Sequence, residues 1–600
     1  MNLKTKSYAY LILPILIYST DILIRWEFLS LMEPKGIINF LISVLFEVSF
    51  YTTLIFLISK SRFPLLLSII LGFIISILQV IIYGHYFYFG VLPNNYSLQF
   101  LANQFVNTMS LFLNSIEWWH FTALIFLTIF YSYLIYKSSN QIKLWRLKKG
   151  IYLLLTTFLL SLFFNNNVRF YSQSFSITPE TIFSIKYYLS SRFLDYKTFE
   201  SQGFIQRKFT IENRKITKSN YNVLIILSES LRKNNLQCYG YSRNTTPFLD
   251  SMLKHNKLIQ FQNHTSNAVS TQYSVPIMLS GIFSYRKVNS PFIQDYAKHW
   301  FGTKNFLISS QLMVRNSIEK VYNTSFDKFI CQERSNLPIY NDMAFNDNEL
   351  IKLFKNELSK LGNNKFFGII GFNNTHYPYT TTGNKFSKFK PSNLKSINAY
   401  DNTILEQDEL IKNIFIELEN KNLLDSTFII FTSDHGEAFG EHNHSGHLKT
   451  LYEEEINVPL LIYLPKTFPK SKSKFLTENQ NYNTSHLDIF PTVMDMFGNM
   501  ENIKSEYPAL GTSLFKQINN TRIIPLFGLD ILSNEGIIER DIKYIQTIDG
   551  SHLIREFYNT STDKKELINL WKMISREEQI NWVNKLDSMR QLRLQADNLN

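Results

Sequence analysis

The chain has 600 residues, which is too long for one hydrophobic core, so we expect at least two domains. Its formal net charge is +12, but no RNA- or DNA-binding motif accompanies this charge, so it favours an anionic membrane over nucleic acid. With only two cysteines, Cys238 and Cys331, the chain can form one disulfide, which excludes a disulfide framework and a cysteine-rich metal site.

The amino-terminal part predicts a transmembrane domain of five spans within residues 1–165. The apolar stretches lie at about residues 8–24, 37–58, 64–84, 120–136 and 150–165. Basic residues precede the first stretch, separate the second from the third, and cluster between the fourth and fifth, whereas residues 85–119 contain none. Since basic loops mark the cytoplasmic side, this pattern predicts a cytoplasmic amino terminus and an outer location for everything after about residue 166.

A helix is predicted near residues 97–117, in the uncharged loop between the third and fourth spans. Apolar residues recur there at helical spacing, and polar residues, including Asn103 and Asn107, form the opposite stripe. This pattern indicates a helix in the outer membrane interface. Two interpretations remain open: the helix merely caps the bundle, or Asn103 and Asn107 bind a lipid head group.

The remainder predicts a linker over residues 166–220 and an α/β domain over residues 221–600. Strand-like runs at 222–227, 366–372 and 427–432 alternate with helical patterns such as that at 399–420. This alternation predicts a mostly parallel central sheet. Ligands in such sheets bind beyond the carboxyl ends of the strands, so residues that directly follow the strands are candidates for the site.

Three acidic or basic side chains in such positions suggest a metal site. Glu229 follows the first strand, and Asp434 with His435 follows the strand at 427–432. Oxygen and nitrogen donors of this kind suit zinc, and the Thr271 hydroxyl could complete a four-coordinate site. A helix start is predicted at Val275, which would place Thr271 near a helix amino terminus, where anions are favoured.

Each of these residues also has an ordinary structural interpretation. Thr271 could be a helix cap, His376 could fill a loop, and Asp-His-Gly could be a turn. His442, His444 and His447 lie close together in the sequence and could belong to a solvated loop. The metal hypothesis therefore depends on the occurrence of all the motifs in one chain.

Two segments carry a family resemblance, Gly240-Tyr-Ser-Arg-Asn-Thr-Thr-Pro247 and Thr271-Gln-Tyr-Ser-Val-Pro276. Together with the spans, they resemble the membrane phosphoethanolamine transferases, in the sulfatase-like branch of the alkaline-phosphatase superfamily. The resemblance implies that Thr271 accepts the phosphoryl group, that Glu229, Thr271, Asp434 and His435 bind one zinc ion, and that His376 and His447 contact the transferred phosphate. Manganese is the alternative metal.

The resemblance further implies a monomeric, multi-pass inner-membrane enzyme with a periplasmic catalytic domain. It would move phosphoethanolamine from phosphatidylethanolamine to lipid A or lipopolysaccharide core. The stretches 451–460, 486–492 and 556–570 are closer to general sulfatases, but no Cys/Ser-x-Pro-x-Arg signature lies near Thr271. Three alternatives stay open: a phosphoglycerol transferase, a sulfatase-like hydrolase and an inactive lipid-binding regulator.

Overall fold

A computed structural model describes the protein in the following segments: residues 9–26, 29, 34–89, 92–93, 98, 101, 118–167, 175–193, 211, 219–284, 290–310, 324–331, 347–377, 379–392, 396–497, 511–528, 533–549 and 552–598. The predicted helix near 97–117 lies outside these residues except at Leu98 and Leu101. Asn103 and Asn107 are also outside them, so their proposed contact with a head group stays a prediction.

Helices occupy all five positions at which the sequence predicts membrane spans. They are α1 (Ile12–Ile24), α2 (Pro34–Lys60), α3 (Pro64–Phe89), α4 (Trp118–Ile142) and α5 (Leu147–Asn167), and α6 (Ile177–Phe193) follows. Within the described residues, α2, α3 and α4 are long and apolar enough to cross a membrane. Helix α1 has 13 residues, about 20 Å of helix against a hydrocarbon core of about 30 Å. The apolar amino-terminal region is confirmed, and the count of five spans stays a prediction.

The start of α6 is bound to the side chains of α1 and α2. The Ile177 N–H donates to Asp21 Oδ2 at 3.1 Å, and the Thr178 N–H donates to Glu47 Oε1 at 3.4 Å. Asp21 also pairs with the fully buried Arg25 at 2.6 Å. Because the first amides of a helix have no partner within the helix, buried carboxylates at this end satisfy them. The predicted linker thus contains a helix that is fixed to the amino-terminal bundle.

The second domain alternates strands and helices. Its strands are β1 (Asn222–Ser228), β2 (Ile259–Phe261), β3 (Asn263–Thr265), β4 (Lys304–Ser309), β5 (Lys328–Cys331), β6 (Phe366–Phe372), β7 (Thr427–Ser433), β8 (Ala438–Phe439), β9 (Ser445–Gly446), β10 (Leu460–Tyr463), β11 (Asn483–Ser485), β12 (Ile523–Gly528), β13 (Ser533–Glu539), β14 (Ile542–Asp549) and β15 (His552–Asn559). Its helices are α7 (Pro247–Lys254), α8 (Thr271–Ser280), α9 (Ile293–Phe301), α10 (Asn348–Ser359), α11 (Ile397–Asn420), α12 (Glu453–Ile456), α13 (Lys470–Glu478), α14 (Ile489–Phe497) and α15 (Arg576–Asn598).

A seven-stranded sheet forms the centre of this domain, in the order β2-β10-β7-β1-β6-β4-β5. β1 is parallel to β6 and β7, and β4 is parallel to β5 and β6, whereas β10 is antiparallel to both of its neighbours. Apolar clusters cover both faces, as expected for parallel strands. The predicted mostly parallel α/β sheet is confirmed, including the three predicted strands and the helix at 399–420.

A second sheet of four antiparallel strands, β12 to β15, is joined to helix α12 by an ion cluster. Lys543 Nζ lies 2.6 Å from a carboxylate oxygen of Glu453 and 2.6 Å from one of Glu566. The side chains of Lys543 and Glu566 are fully buried. Because a buried charge is tolerated only when it is paired, this lysine binds the carboxyl-terminal sheet to the α12 region.

We expect Lys543→Met to lower the free energy of unfolding by about 3–5 kcal/mol, because it leaves the fully buried Glu566 and the partly buried Glu453 without their cation. Chemical denaturation of the full chain in detergent measures this. The matched control is Lys466→Met, which removes an exposed 3.1 Å ion pair with Asp425 and should cost less than about 1 kcal/mol. Equal midpoints for the two variants would contradict a stabilising role for the Lys543 cluster.

Candidate functional site

The Thr271 hydroxyl lies at the centre of the residues that the sequence predicts to form a site. Its Oγ1 is 2.7 Å from Asp434 Oδ2, and 3.1 Å and 3.2 Å from the two carboxylate oxygens of Glu229. His435 Nε2 is 3.5 Å from the same oxygen. The structure therefore brings Glu229, Thr271, Asp434 and His435 together at one point, and their roles as ligands and nucleophile stay predictions.

Two parallel strands place the acidic side chains Glu229 and Asp434 side by side. β1 and β7 are in register from end to end, with Ser228 opposite Ser433, so the residues that follow them lie at the same edge of the sheet. Asp434 Oδ1 accepts the backbone N–H groups of Ser230, at 2.9 Å, and His435, at 2.8 Å. These two bonds fix the carboxylate and leave Oδ2 directed at the threonine hydroxyl.

The helix that carries Thr271 begins earlier than predicted. Its first residue is Thr271 rather than Val275, and Pro276 lies inside the helix. The Ser270 carbonyl accepts the N–H of Ser274 at 2.9 Å and thereby starts the helix upstream of the proline. Proline removes one donor only at its own position, which is why the preceding turn can still form. The hydroxyl is thus at the amino end of a ten-residue helix, where amides and the helix dipole favour an anion.

Burial and charge together set the protonation of this cluster. Burial disfavours the imidazolium of His435, but the charges of Asp434 and Glu229 outweigh it and raise the His435 pKa to about 10. Burial and the Glu229 charge raise the pKa of Asp434. Burial opposes ionisation of Glu229, yet the hydrogen bond and charge of His435 hold the Glu229 pKa below its usual value. In the metal-free chain a proton on His435 therefore offsets only part of the charge of the two buried carboxylates.

The donor set fits a divalent cation. Ligand atoms of Glu229, His435 and His447 lie within 4.8 Å of one another in the described part of the chain. Two buried carboxylates, Glu229 and Asp434, need positive charge nearby, and mixed oxygen and nitrogen donors suit zinc. The resemblance assigns His447 to the phosphate, but its position also suits a metal ligand.

His376 and His447 lie on one side of this cluster. The ring centroids of His447 and His435 are 4.3 Å apart, and those of His447 and His376 are 5.4 Å apart. Burial and the charge of His435 lower the His447 pKa to about 3, so this imidazole stays neutral and keeps a lone pair for a hydrogen bond or a metal ion. Glu437, for which no role was predicted, places both carboxylate oxygens 3.4 Å from His447 Nδ1. Its place in the Asp-His-Gly-Glu run, two residues after His435, is the sequence feature that could have identified it as a site residue.

The interpretation of His442 and His444 as part of a solvated loop is wrong. His444 is fully buried and its Nε2 is 2.7 Å from Glu455. His442 stacks on Tyr452, with ring centroids 3.8 Å apart, and pairs with Glu454 at 2.7 Å. Since each imidazole has its own carboxylate, both hold the loop that leads to His447 rather than contacting Thr271.

Cys238 does not form the single disulfide that the sequence allows. Its thiol is buried and free. The fold of the second domain therefore does not depend on a Cys238 disulfide.

Gly436, directly after His435, is packed against backbone. A Cβ at this position would lie 2.2 Å from the Glu454 carbonyl oxygen. We expect Gly436→Ala to displace His435 and to destabilise the domain by about 1–3 kcal/mol. Thermal unfolding of the full chain and its metal content measure both effects. Gly383→Ala is the control, since a Cβ there meets nothing within 4 Å and the backbone is extended. Wild-type behaviour of both variants would contradict the steric argument.

The chain is similar in sequence to the sulfatase family and to phosphoethanolamine transferases. Residues 221–499 match the sulfatase family. The chain is 30% identical over 304 residues to phosphoethanolamine transferase EptA of Helicobacter pylori, covering 47% of this chain and 54% of that protein. It is 24% identical over 314 residues to the Kdo(2)-lipid A phosphoethanolamine 7''-transferase of Salmonella typhimurium, covering 49% and 54% respectively. The chain thus spans about half the length of the curated relatives it matches.

A solved structure extends the likeness in fold to the amino-terminal helices. The integral membrane lipooligosaccharide phosphoethanolamine transferase A of Neisseria meningitidis superposes with a TM-score of 0.52 at 20% identity. The superposition covers 82% of this chain and 95% of that chain. Apolar helices followed by a sulfatase-like α/β domain are therefore a known architecture.

Proposed function

We propose that this chain, whose residues 221–499 match the sulfatase family and which is similar to phosphoethanolamine transferases, is itself such a transferase. It would transfer phosphoethanolamine from phosphatidylethanolamine to lipid A or lipopolysaccharide core. The observation that carries the proposal is the buried Thr271 hydroxyl, which lies 2.7 Å from Asp434 at a helix amino terminus. This arrangement holds a poor nucleophile beside a base and beside amides that favour phosphate.

A lipid donor is supported by the position of the site next to the apolar helices. β9 directly precedes His447, and Cα atoms of β9 and α3 lie within 8 Å of each other. Helix α3 is one of the three that are long and apolar enough to cross a membrane. The histidine side of the site is therefore next to the region in which a lipid head group would lie. The catalytic domain would act in the periplasm, at the outer face of the inner membrane.

In the first step, Thr271 Oγ attacks the donor phosphorus in line. A bond from phosphorus to the threonine oxygen forms as the bond to the diacylglycerol oxygen breaks. The hydroxyl proton passes to Asp434 Oδ2, which is 2.7 Å away. His376 gives a proton to the departing diacylglycerol oxygen.

In the second step, an oxygen of the acceptor attacks the phosphorus of the phosphothreonine-type ester, and Thr271 Oγ leaves and regains its proton. The proton of the acceptor passes to His376, which gave up its own proton in the first step, and the neutral His447 contacts the phosphoryl oxygens. A divalent cation held by Glu229, Thr271, Asp434 and His435, zinc or manganese, would supply positive charge beside the threonine and phosphoryl oxygens. The amide groups at the start of α8 orient the phosphoryl oxygens.

Labelled head groups test the donor and the reaction type. The full chain is reconstituted with Kdo2-lipid A in vesicles that contain either phosphatidylethanolamine labelled in ethanolamine or phosphatidylglycerol labelled in glycerol. We expect the ethanolamine label alone to appear on lipid A. Transfer of the glycerol label would favour phosphoglycerol transfer, and label released to water would favour a hydrolase. A chain that transfers neither label and purifies without metal would be an inactive regulator.

A further inference from the structure

The connection between β15 and α15 exposes three large apolar side chains. In residues 564–573, called here the 564–573 loop, Leu567 is 70% exposed, Ile568 58% and Met573 76%. No other large apolar side chain in the described part of residues 219–598 is more than half exposed. A concentration of this kind indicates a surface that binds something.

Contacts with the rest of the domain hold the 564–573 loop in place and leave Leu567, Ile568 and Met573 directed toward solvent. Glu566 is buried and pairs with Lys543 at 2.6 Å. Trp571 stacks on Tyr544 with ring centroids 5.0 Å apart. The Leu570 N–H donates to the Phe557 carbonyl at 2.8 Å. Because Glu566, Leu570 and Trp571 are anchored in this way, the exposed apolar side chains between and beside them face away from the domain.

Three lysines flank the exposed apolar residues of the 564–573 loop. Lys564, Lys565 and Lys572 are all exposed. Among the residues that the structure describes, none of the three has an ion-pair partner. Unpaired lysines beside exposed aliphatic side chains match the requirements of an anionic lipid surface: the cations bind head-group phosphates, and the apolar chains enter the acyl boundary.

The 564–573 loop also lies on the side of the domain that contacts the membrane helices. His442 Nε2 is 3.2 Å from the Glu566 carbonyl oxygen, which joins the loop to the segment between β8 and β9. β9 is the element that lies next to α3. The 564–573 loop is therefore one short segment away from the contact between the catalytic domain and an apolar helix.

We propose that the 564–573 loop docks on the membrane surface, with Leu567, Ile568 and Met573 in the lipid and the lysines on anionic head groups. This contact would be a second attachment of the catalytic domain, in addition to its covalent connection to α6. It would hold the site at a fixed height above the lipids. The proposal rests on the attachment of the chain to a membrane and not on the reaction proposed above.

Spin labels on the full chain test this contact. In a parent with Cys238→Ala and Cys331→Ala, the single variants Leu567→Cys, Ile568→Cys and Met573→Cys carry a nitroxide in vesicles of three parts phosphatidylethanolamine to one part phosphatidylglycerol. For each label we measure the ratio of its collision rate with oxygen to its collision rate with a water-soluble nickel complex. We expect this ratio at the three loop positions to be at least about threefold higher than at Ile416→Cys. Ile416 is the matched control, because it is 40% exposed and lies on α11.

Lipid composition separates the possible occupants. In vesicles without phosphatidylglycerol, the ratio of oxygen to nickel collisions at the loop labels should fall. With phosphatidylglycerol present, this ratio should drop to the Ile416→Cys value in a variant that combines Lys564→Glu, Lys565→Glu and Lys572→Glu. Equal exposure of the loop labels and Ile416 to the nickel complex would overturn the proposal. Spin–spin broadening that disappears on dilution with unlabelled chain would overturn it in favour of a second copy. Because each label is a separate variant, failure of one to fold leaves the others decisive.

Discussion

Thr271→Ala is expected to reduce transfer by at least about 10³-fold, since removal of a nucleophile leaves only binding and charge stabilisation. The side chain is only 4% exposed, so its hydroxyl is held by its neighbours rather than free in solvent. Its nearest partner, Asp434 Oδ2, is 2.7 Å away and keeps its backbone anchors in the variant. The fold should therefore survive, and the loss should be in turnover.

Thr271→Ser is the matched control because it keeps the oxygen and removes one methyl group. It should retain measurable transfer, whereas Thr271→Ala should not. Mass spectrometry of the intact chain, incubated with phosphatidylethanolamine and without acceptor, should find phosphoethanolamine on Thr271 of the parent and on the serine of the Thr271→Ser variant, and none on Thr271→Ala. If Thr271→Ala transfers as fast as the parent, or if the parent is never modified, the covalent route is wrong.

Glu229→Gln is expected to lower the bound metal by at least about tenfold, because changes in residues that merely support metal ligands already cost this much. The amide is nearly the same size as the carboxylate but lacks its charge. Both carboxylate oxygens of Glu229 lie within 3.2 Å of the Thr271 hydroxyl, at the centre of the cluster. Elemental analysis of the purified full chain measures the ratio of metal to protein.

Asp408→Asn is the control for Glu229→Gln, because it also changes a buried carboxylate to an amide. Asp408 accepts the N–H groups of Phe248, at 2.7 Å, and Leu249, at 3.0 Å, at the start of α7. It should lower stability and leave the metal content unchanged. A Glu229→Gln chain with the full metal content would show that the ion binds elsewhere, for instance around His447 and Glu437.

The location of the site could be predicted because it depends on local patterns. An apolar run of six or seven residues predicts a strand, and the carboxyl ends of parallel strands meet at one edge of a sheet. Glu229 and Asp434 were therefore expected at the same edge of the sheet, and the pairing of β1 with β7 in the structure makes them neighbours. In the structure Ser228 lies opposite Ser433, so the residues that follow these two serines are side by side, as expected.

Other features of the site depend on contacts between distant segments. His447, Glu437 and the first residue of α8 are placed by packing, and nothing in the periodicity of those segments gives their distances. His442 and His444 look polar in the sequence, yet Glu454 and Glu455 draw them into the fold at 2.7 Å each. The assignment of His376 and His447 to the phosphate, and of Asn103 and Asn107 to a head group, stays a prediction.

The sequence by itself determined the apolar helices, the parallel strands and the four residue types that meet beyond them, because periodicity and residue chemistry are local properties of the chain. Only the tertiary structure decided that His447 joins the cluster, that α6 is fixed by Asp21 and Glu47, and that the 564–573 loop lies near the β8–β9 segment. Each of these contacts joins residues more than 100 positions apart or on separate elements. Their distances follow from how whole elements pack, which no local pattern records.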